Sequence, residues 1–159
     1  MVATMKNAKR ILSQILAVSL VLAFLSGCAV KQQEPLSAPV MDDATIISHL
    51  AGKVWVAEYI HGKPVIDMSH TSMVFAENGT VKGRGGCNSF SGTYEMKDGI
   101  ISFGHMAATM KLCPEAINDQ EFRFFQSLKE KHAVAFKNGL LILTPDSGEP
   151  SSFAVHNTN

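Results

Sequence analysis

Apolar and polar residues alternate in short runs over most of the chain beyond residue 52. Lys53 to Ile60 sets Trp55, Ala57 and Tyr59 against Val54, Val56 and Glu58, the period of a strand with its two faces in different surroundings. Ser72 to Ala76, Thr80 to Arg84, Ser89 to Met96, Ile100 to Phe103, Ala133 to Phe136, Leu140 to Thr144 and Ser152 to Val155 complete the predicted strands. His61-Gly62-Lys63-Pro64 is a turn. Asn78-Gly79, Asp98-Gly99 and Asn138-Gly139 sit between apolar runs, and such pairs favour the positive φ angles of tight hairpins. Together they predict an antiparallel meander of seven or eight strands.

Two segments break the alternation toward a helical period. Ile46, Ile47 and Leu50 fall on one face of a short helix that Asp42 or Asp43 would cap and Gly52 would end. A second helix starts between Pro114 and Asp119 and runs to about Lys129. Pro114 suits a first turn, and Asn118 with Glu121 resembles a capping box. Ile117, Phe124 and Leu128, flanked by Phe122 and Phe125, make an apolar stripe that needs a partner, and the sheet is the large one available. His105 to Cys113 lacks strict alternation and predicts an irregular or partly extended connection. The expected fold class is α+β: mostly antiparallel β, a strongly curved sheet or small cracked barrel with one helix packed across it.

The first 27 residues follow another pattern. Lys6, Lys9 and Arg10 precede an apolar run from Ile11 to Phe24, whose 14 residues fall short of a membrane span. Leu25-Ser26-Gly27-Cys28 follows and looks like a bacterial lipobox. Residues 1–27 therefore read as a lipoprotein signal peptide, with diacylglycerol on the Cys28 thiol and a further acyl group such as palmitate on its freed amine. Two or three buried chains anchor a protein nearly permanently. Ala29 is not the Asp of an inner-membrane retention signal, so the expected location is the outer membrane, lipid-anchored, on the periplasmic face. Residues 28–41 hold Pro35 and Pro39 among polar residues and read as a flexible tether. The folded domain spans 42–159.

Charge changes the picture little. Without Lys6, Lys9 and Arg10 the basic side chains fall from 14 to 11 against 14 acidic, a net charge of −3 with no basic cluster. That excludes nucleic acid as an expected partner. The six histidines show no zinc spacing and no CxxC exists, so no metal and no cofactor is expected. They read as scattered surface or turn residues. The chain carries neither a paired-carboxylate signature nor a phosphate-binding glycine loop. Met68, Met73, Met96, Met106 and Met110 read as core, with an adaptable apolar surface as the alternative.

The stretch Gly83-Arg84-Gly85-Gly86-Cys87-Asn88 carries the most information. Its glycines predict a bend or bulge leading into a strand. Asn88 has donors and acceptors enough to tie a bent backbone together. Gly86-Cys87-Asn88 with Phe90-Ser91-Gly92, preceded by Trp55, Gly62-Lys63-Pro64-Val65 and Phe75 and followed by Thr109, Cys113, Glu121 and Leu128, resembles the META domain. That is the domain of the HslJ-like heat-inducible bacterial lipoproteins. The resemblance covers roughly residues 53 to 155 and implies a curved β architecture. It also implies a role in heat or envelope stress and in tolerance of an antibiotic such as novobiocin.

Cys87 and Cys113 both belong to the resembling motifs, and an oxidising compartment favours a disulfide between them. Closing a loop of about 27 residues would contribute roughly 3.5 kcal/mol. Two reduced, buried thiols acting as small apolar groups are the alternative. Asn88 and Thr109 are expected to satisfy backbone groups, and Glu121 to sit as a carboxylate at a helix N-terminus. Trp55, Gly86, Phe90 and Gly92 are read as structural motif positions. No base stands in a recognisable signature beside either thiol, so no catalytic residue is expected.

The expected function is that of a non-enzymatic envelope lipoprotein, held to the membrane through Cys28. The alternative is a lipid- or apolar-peptide-binding module, similar in predicted architecture to the pilot lipoproteins of secretion pores. An apolar groove of several hundred Å³ lined by Met, Leu and Phe would favour that alternative.

Overall fold

The computed structural model describes residues 41–156. The leader, Cys28 and the tether as far as residue 40 lie outside them. In chain order the elements are α1 (Asp43–Leu50), β1 (Val54–Ile60), β2 (Lys63–Pro64), β3 (Ser72–Phe75), β4 (Thr80–Arg84), β5 (Ser89–Lys97) and β6 (Ile100–Ala108). α2 (Glu115–Ser127), β7 (His132–Lys137), β8 (Leu140–Pro145) and β9 (Ser151–His156) follow. The nine strands form one sheet in the order β2-β1-β3-β4-β5-β6-β7-β8-β9, every pair antiparallel. β9 also returns to β1, with Val54 opposite His156 and Ala57 opposite Phe153. That pairing curls the sheet into a ring, as the alternation and turn signals predict.

The ring encloses the apolar face of nearly every strand. Trp55, Met73, Phe75, Val81, Phe90, Tyr94, Ile101, Leu141, Leu143 and Phe153 are buried together with Ile46 and Leu50 of α1 and Phe124 of α2. Trp55 adds a polar tie, its Nε1–H donating to the Leu50 carbonyl at 3.0 Å. Phe75 meets Tyr94 edge to face at 5.2 Å, and the Tyr94 hydroxyl donates to the Ala76 carbonyl at 2.8 Å.

The hairpin signals divide into two turn geometries. Asp98-Gly99 and Asn138-Gly139 take positive φ at both residues, the pattern of a two-residue type I′ loop. At Asn78-Gly79 just the glycine does. There Ala76 and Thr80 close a three-residue loop, and Asn78 Oδ1 accepts from the Thr80 N–H and hydroxyl. α1 is capped by Asp42, whose carboxylate accepts from the Thr45 N–H at 2.9 Å. Asp43 instead reaches the β5–β6 turn and accepts the N–H groups of Asp98 and Gly99.

Several expectations are corrected. β6 continues to Ala108 rather than stopping at Phe103, because Met106, Ala107 and Ala108 pair with Gly92, Ser91 and Phe90. Its alternation is broken by a bulge, where Thr93 alone faces Gly104 and His105. Lys63–Pro64 is a short strand paired with Tyr59 and Ile60, not merely turn. α2 begins at Glu115, inside the expected window, with Pro114 at its cap. Asn118 and Glu121 are thus inside the helix and form no capping box. Phe122 faces outward and is exposed. Of the methionines, Met73 is buried and Met96 and Met106 pack at the core margin, while Met68 and Met110 are exposed. His132 is not a surface histidine: it is 1% exposed.

Candidate functional site

The core-facing side of α2 carries Ile117, Gln120, Glu121, Phe124 and Leu128 at helical spacing, so two polar side chains interrupt an apolar stripe. Both are buried, and a buried polar group needs partners. Glu121 finds them in the glycine-rich loop between β4 and β5. Its Oε1 accepts from the Asn88 N–H at 2.6 Å and the Cys87 N–H at 3.2 Å, and its Oε2 accepts from Asn88 Nδ2 at 2.6 Å. Three N–H donors compensate the carboxylate, which makes no ion pair among the described residues. The expectation of a carboxylate at the helix N-terminus is corrected accordingly.

Asn88 passes the connection onward. Its Oδ1 accepts from the Lys111 N–H at 2.6 Å and the Thr109 hydroxyl at 2.9 Å. Thr109 Oγ1 in turn accepts from the Ser89 N–H at 3.2 Å. The Cys87–Cys113 disulfide joins the same two segments, with their Cα atoms 6.0 Å apart. Both sulfurs are therefore engaged with each other. Gly85 permits this closeness: a Cβ there would lie 2.6 Å from Glu121 Oε1. Gly86 supplies the bend with φ 134, a value that side chains disfavour.

Gln120 holds a second loop. Its Oε1 accepts from the Ile66 N–H at 2.6 Å, and its Nε2 donates to Ser69 Oγ at 2.7 Å and Thr71 Oγ1 at 3.0 Å. The Thr71 hydroxyl donates to the Gly85 carbonyl, so the two loops meet. Sequence reasoning missed Gln120, Ser69 and Thr71; a glutamine in the buried stripe of a helix was the available signal. Phe90 lies 5.6 Å from Phe124 and 5.5 Å from Phe125, seating β5 on α2. Gly92 passes close to Met106 and the His105 carbonyl, where no side chain would fit. Asn88, Phe90, Thr109, Glu121 and the two cysteines thus converge, whereas Trp55 packs against Phe136.

This framework fixes α2 beside a gap in the ring. β6 and β7 pair only through Ile100 with Ala133 and Ile101 with His132. Before His132 the chain is the end of α2 and its turn, so β6 runs on from Ser102 with no strand on its outer edge. The space between that overhang and α2 is a groove of about 330 Å³. Phe103, Met106, Phe125 and Leu128 give it apolar walls, with His105 and Lys129 also lining it. The bulge at Gly104 and His105 lies within it, as bulges often do beside binding sites. Gly104, Ala108 and Lys129 were not legible as groove residues. No group of three or more His, Cys, Asp or Glu side chains suited to a metal occurs among the described residues.

In this chain a helix is clamped to a glycine-rich bend inside a ring of antiparallel strands. The family model of the META domain matches residues 48–158, and the chain belongs to that family. An NMR structure shares the fold at 24% identity and TM-score 0.58, over 69% of this chain and 93% of that one. A second, of a protein from Burkholderia xenovorans, is 22% identical with TM-score 0.58, over 79% of this chain and 99% of the other. A crystal structure of a DUF4847 family protein from Bacteroides vulgatus is 14% identical with TM-score 0.49, over 72% and 99%. No curated protein matches the chain.

Proposed function

We propose that this META-domain protein is a non-enzymatic lipoprotein of the bacterial envelope, anchored in the outer membrane through acylated Cys28 and facing the periplasm. Its proposed role is in heat or envelope stress and in tolerance of an antibiotic such as novobiocin. The observation that carries the anchoring is the lipobox Leu25-Ser26-Gly27-Cys28 behind a basic, then apolar, leader. A disulfide-closed domain fits an oxidising compartment. Labelling with radioactive palmitate should mark the wild-type chain and not Cys28→Ala; label retained in that variant refutes the anchor. A strain lacking the gene should grow less well at raised temperature and in novobiocin, and unchanged growth in both refutes the stress role.

The groove favours a second reading, a module that holds an apolar ligand. Its walls of Met106, Leu128, Phe103 and Phe125 and its volume of about 330 Å³ meet the condition set for a carrier. Native mass spectrometry of the purified chain should then show a copurifying lipid or apolar ligand.

A further inference from the structure

The groove beside the β6 overhang carries charge of one sign. Among its lining residues Lys129 is the ammonium and His105 the imidazole, and no carboxylate is present. Lys129 is exposed and makes no ion pair among the described residues. The neighbouring acid, Glu130, has Oε1 3.6 Å from His61 Nε2 and is not among the groove's lining residues. An apolar channel with an unmatched cation beside it complements a ligand with an apolar body and an anionic end.

The shape narrows the choice. A volume of about 330 Å³ lies at the small end of the range for ligand sites, which suits one aliphatic chain rather than two. An extended peptide would need an evenly repeating row of backbone groups along β6. The bulge at Gly104 and His105 interrupts that row in the middle of the free edge. An aliphatic chain needs no register and is indifferent to the interruption.

We infer that the groove between β6 and α2 binds a free long-chain fatty acid, its chain lying against Phe103, Met106, Phe125 and Leu128 and its carboxylate meeting Lys129. This rests on the apolar-ligand reading above and adds the head-group chemistry. The Glu121–Asn88 clamp ties α2 to the β4–β5 loop, and Asn88 also holds Thr109 and Lys111 just beyond the end of β6.

The test measures binding of palmitate to the purified full-length chain by calorimetry, with hexadecanol and a lysophosphatidylglycerol of equal chain length alongside. Palmitate should bind one to one. Lys129→Glu should weaken it at least tenfold and Lys129→Arg little. Ala108→Trp, which places a bulky side chain at the exposed mouth, should abolish binding. Thermal unfolding of each variant near that of wild type establishes that loss is not misfolding. Failure of palmitate to bind, or binding unchanged by both Lys129→Glu and Ala108→Trp, overturns the inference. Hexadecanol or the lysophospholipid binding as tightly as palmitate also overturns it, while leaving the broader apolar-ligand reading standing.

Discussion

Glu121 of α2 and Asn88 of the β4–β5 loop are joined at both carboxylate oxygens, by the Asn88 N–H at 2.6 Å and by its side-chain Nδ2 at 2.6 Å. The pair links a helix to a bend 33 residues earlier, with no ion pair to Glu121 among the described residues. It is therefore a hydrogen-bonded structural joint, and its partners decide what each substitution does.

Glu121→Ala should destabilise the domain by roughly 3–5 kcal/mol, since it strands two buried backbone N–H groups and an amide at about 1–3 kcal/mol each. Glu121→Gln should cost less, roughly 1–2 kcal/mol, because one oxygen still accepts while its amide faces that of Asn88. Urea unfolding of the two variants gives the comparison. Equal losses would show that the second oxygen is immaterial.

Reducing Cys87–Cys113, or replacing both residues by serine, should lower stability by roughly 3.5 kcal/mol. Asn88 and Thr109 still bridge the same segments, so the fold should survive reduction. Circular dichroism with and without dithiothreitol checks both parts; complete unfolding on reduction at room temperature would contradict the second.

His132 should make stability fall in mild acid. Burial holds its imidazole below the ordinary value of 6.5, against opposing help from the Ser127 carbonyl. Nε2 lies 2.8 Å from that carbonyl and Nδ1 has no partner, so the neutral ring donates from Nε2. Below about pH 6.5 the unfolded chain takes up a proton that the folded chain resists. This contribution is intact above pH 6.5 and is lost as pH falls toward the lower folded value. Melting temperatures between pH 7.5 and 5 should decline less in His132→Gln than in wild type.

Tyr94→Phe should cost about 1 kcal/mol through loss of the bond to the Ala76 carbonyl. Burial raises the Tyr94 pKa, with Glu77 adding to the effect, so the hydroxyl remains a donor at neutral pH. Thermal denaturation of the variant measures the loss.

The strands and turns were legible because burial on one face leaves a period of two, and a tight hairpin needs residues that accept positive φ. Trp55, Ala57, Phe75, Phe90 and Tyr94 carry that signal locally. The end of β6 was not legible, since the bulge at Gly104 and His105 shifts the alternation and the residues beyond it have a partner on one side alone. The motif residues pointed to the bend, but the partner of Asn88 lies 33 residues away in Glu121. No local rule separates a helix-start carboxylate from one inside a helix that has begun six positions earlier. Gln120 was missed for a related reason: its three partners, Ile66, Ser69 and Thr71, all lie in a segment without periodicity. The groove follows from where β7 begins, a matter of register that neighbouring residues do not encode.

The pairing of β1 with β9 ties the earliest strand of the sheet to the latest. Until Ser151–His156 has been synthesised, Trp55 and its neighbours lack one flank, and the circle has a gap that no nearby segment of chain can fill. Closure consequently depends on a contact spanning nearly the entire domain, and such distant contacts slow folding. Cutting the chain before Ser151 would uncover an edge on both β1 and β8 at once, converting the ring into a sheet with two further sticky margins.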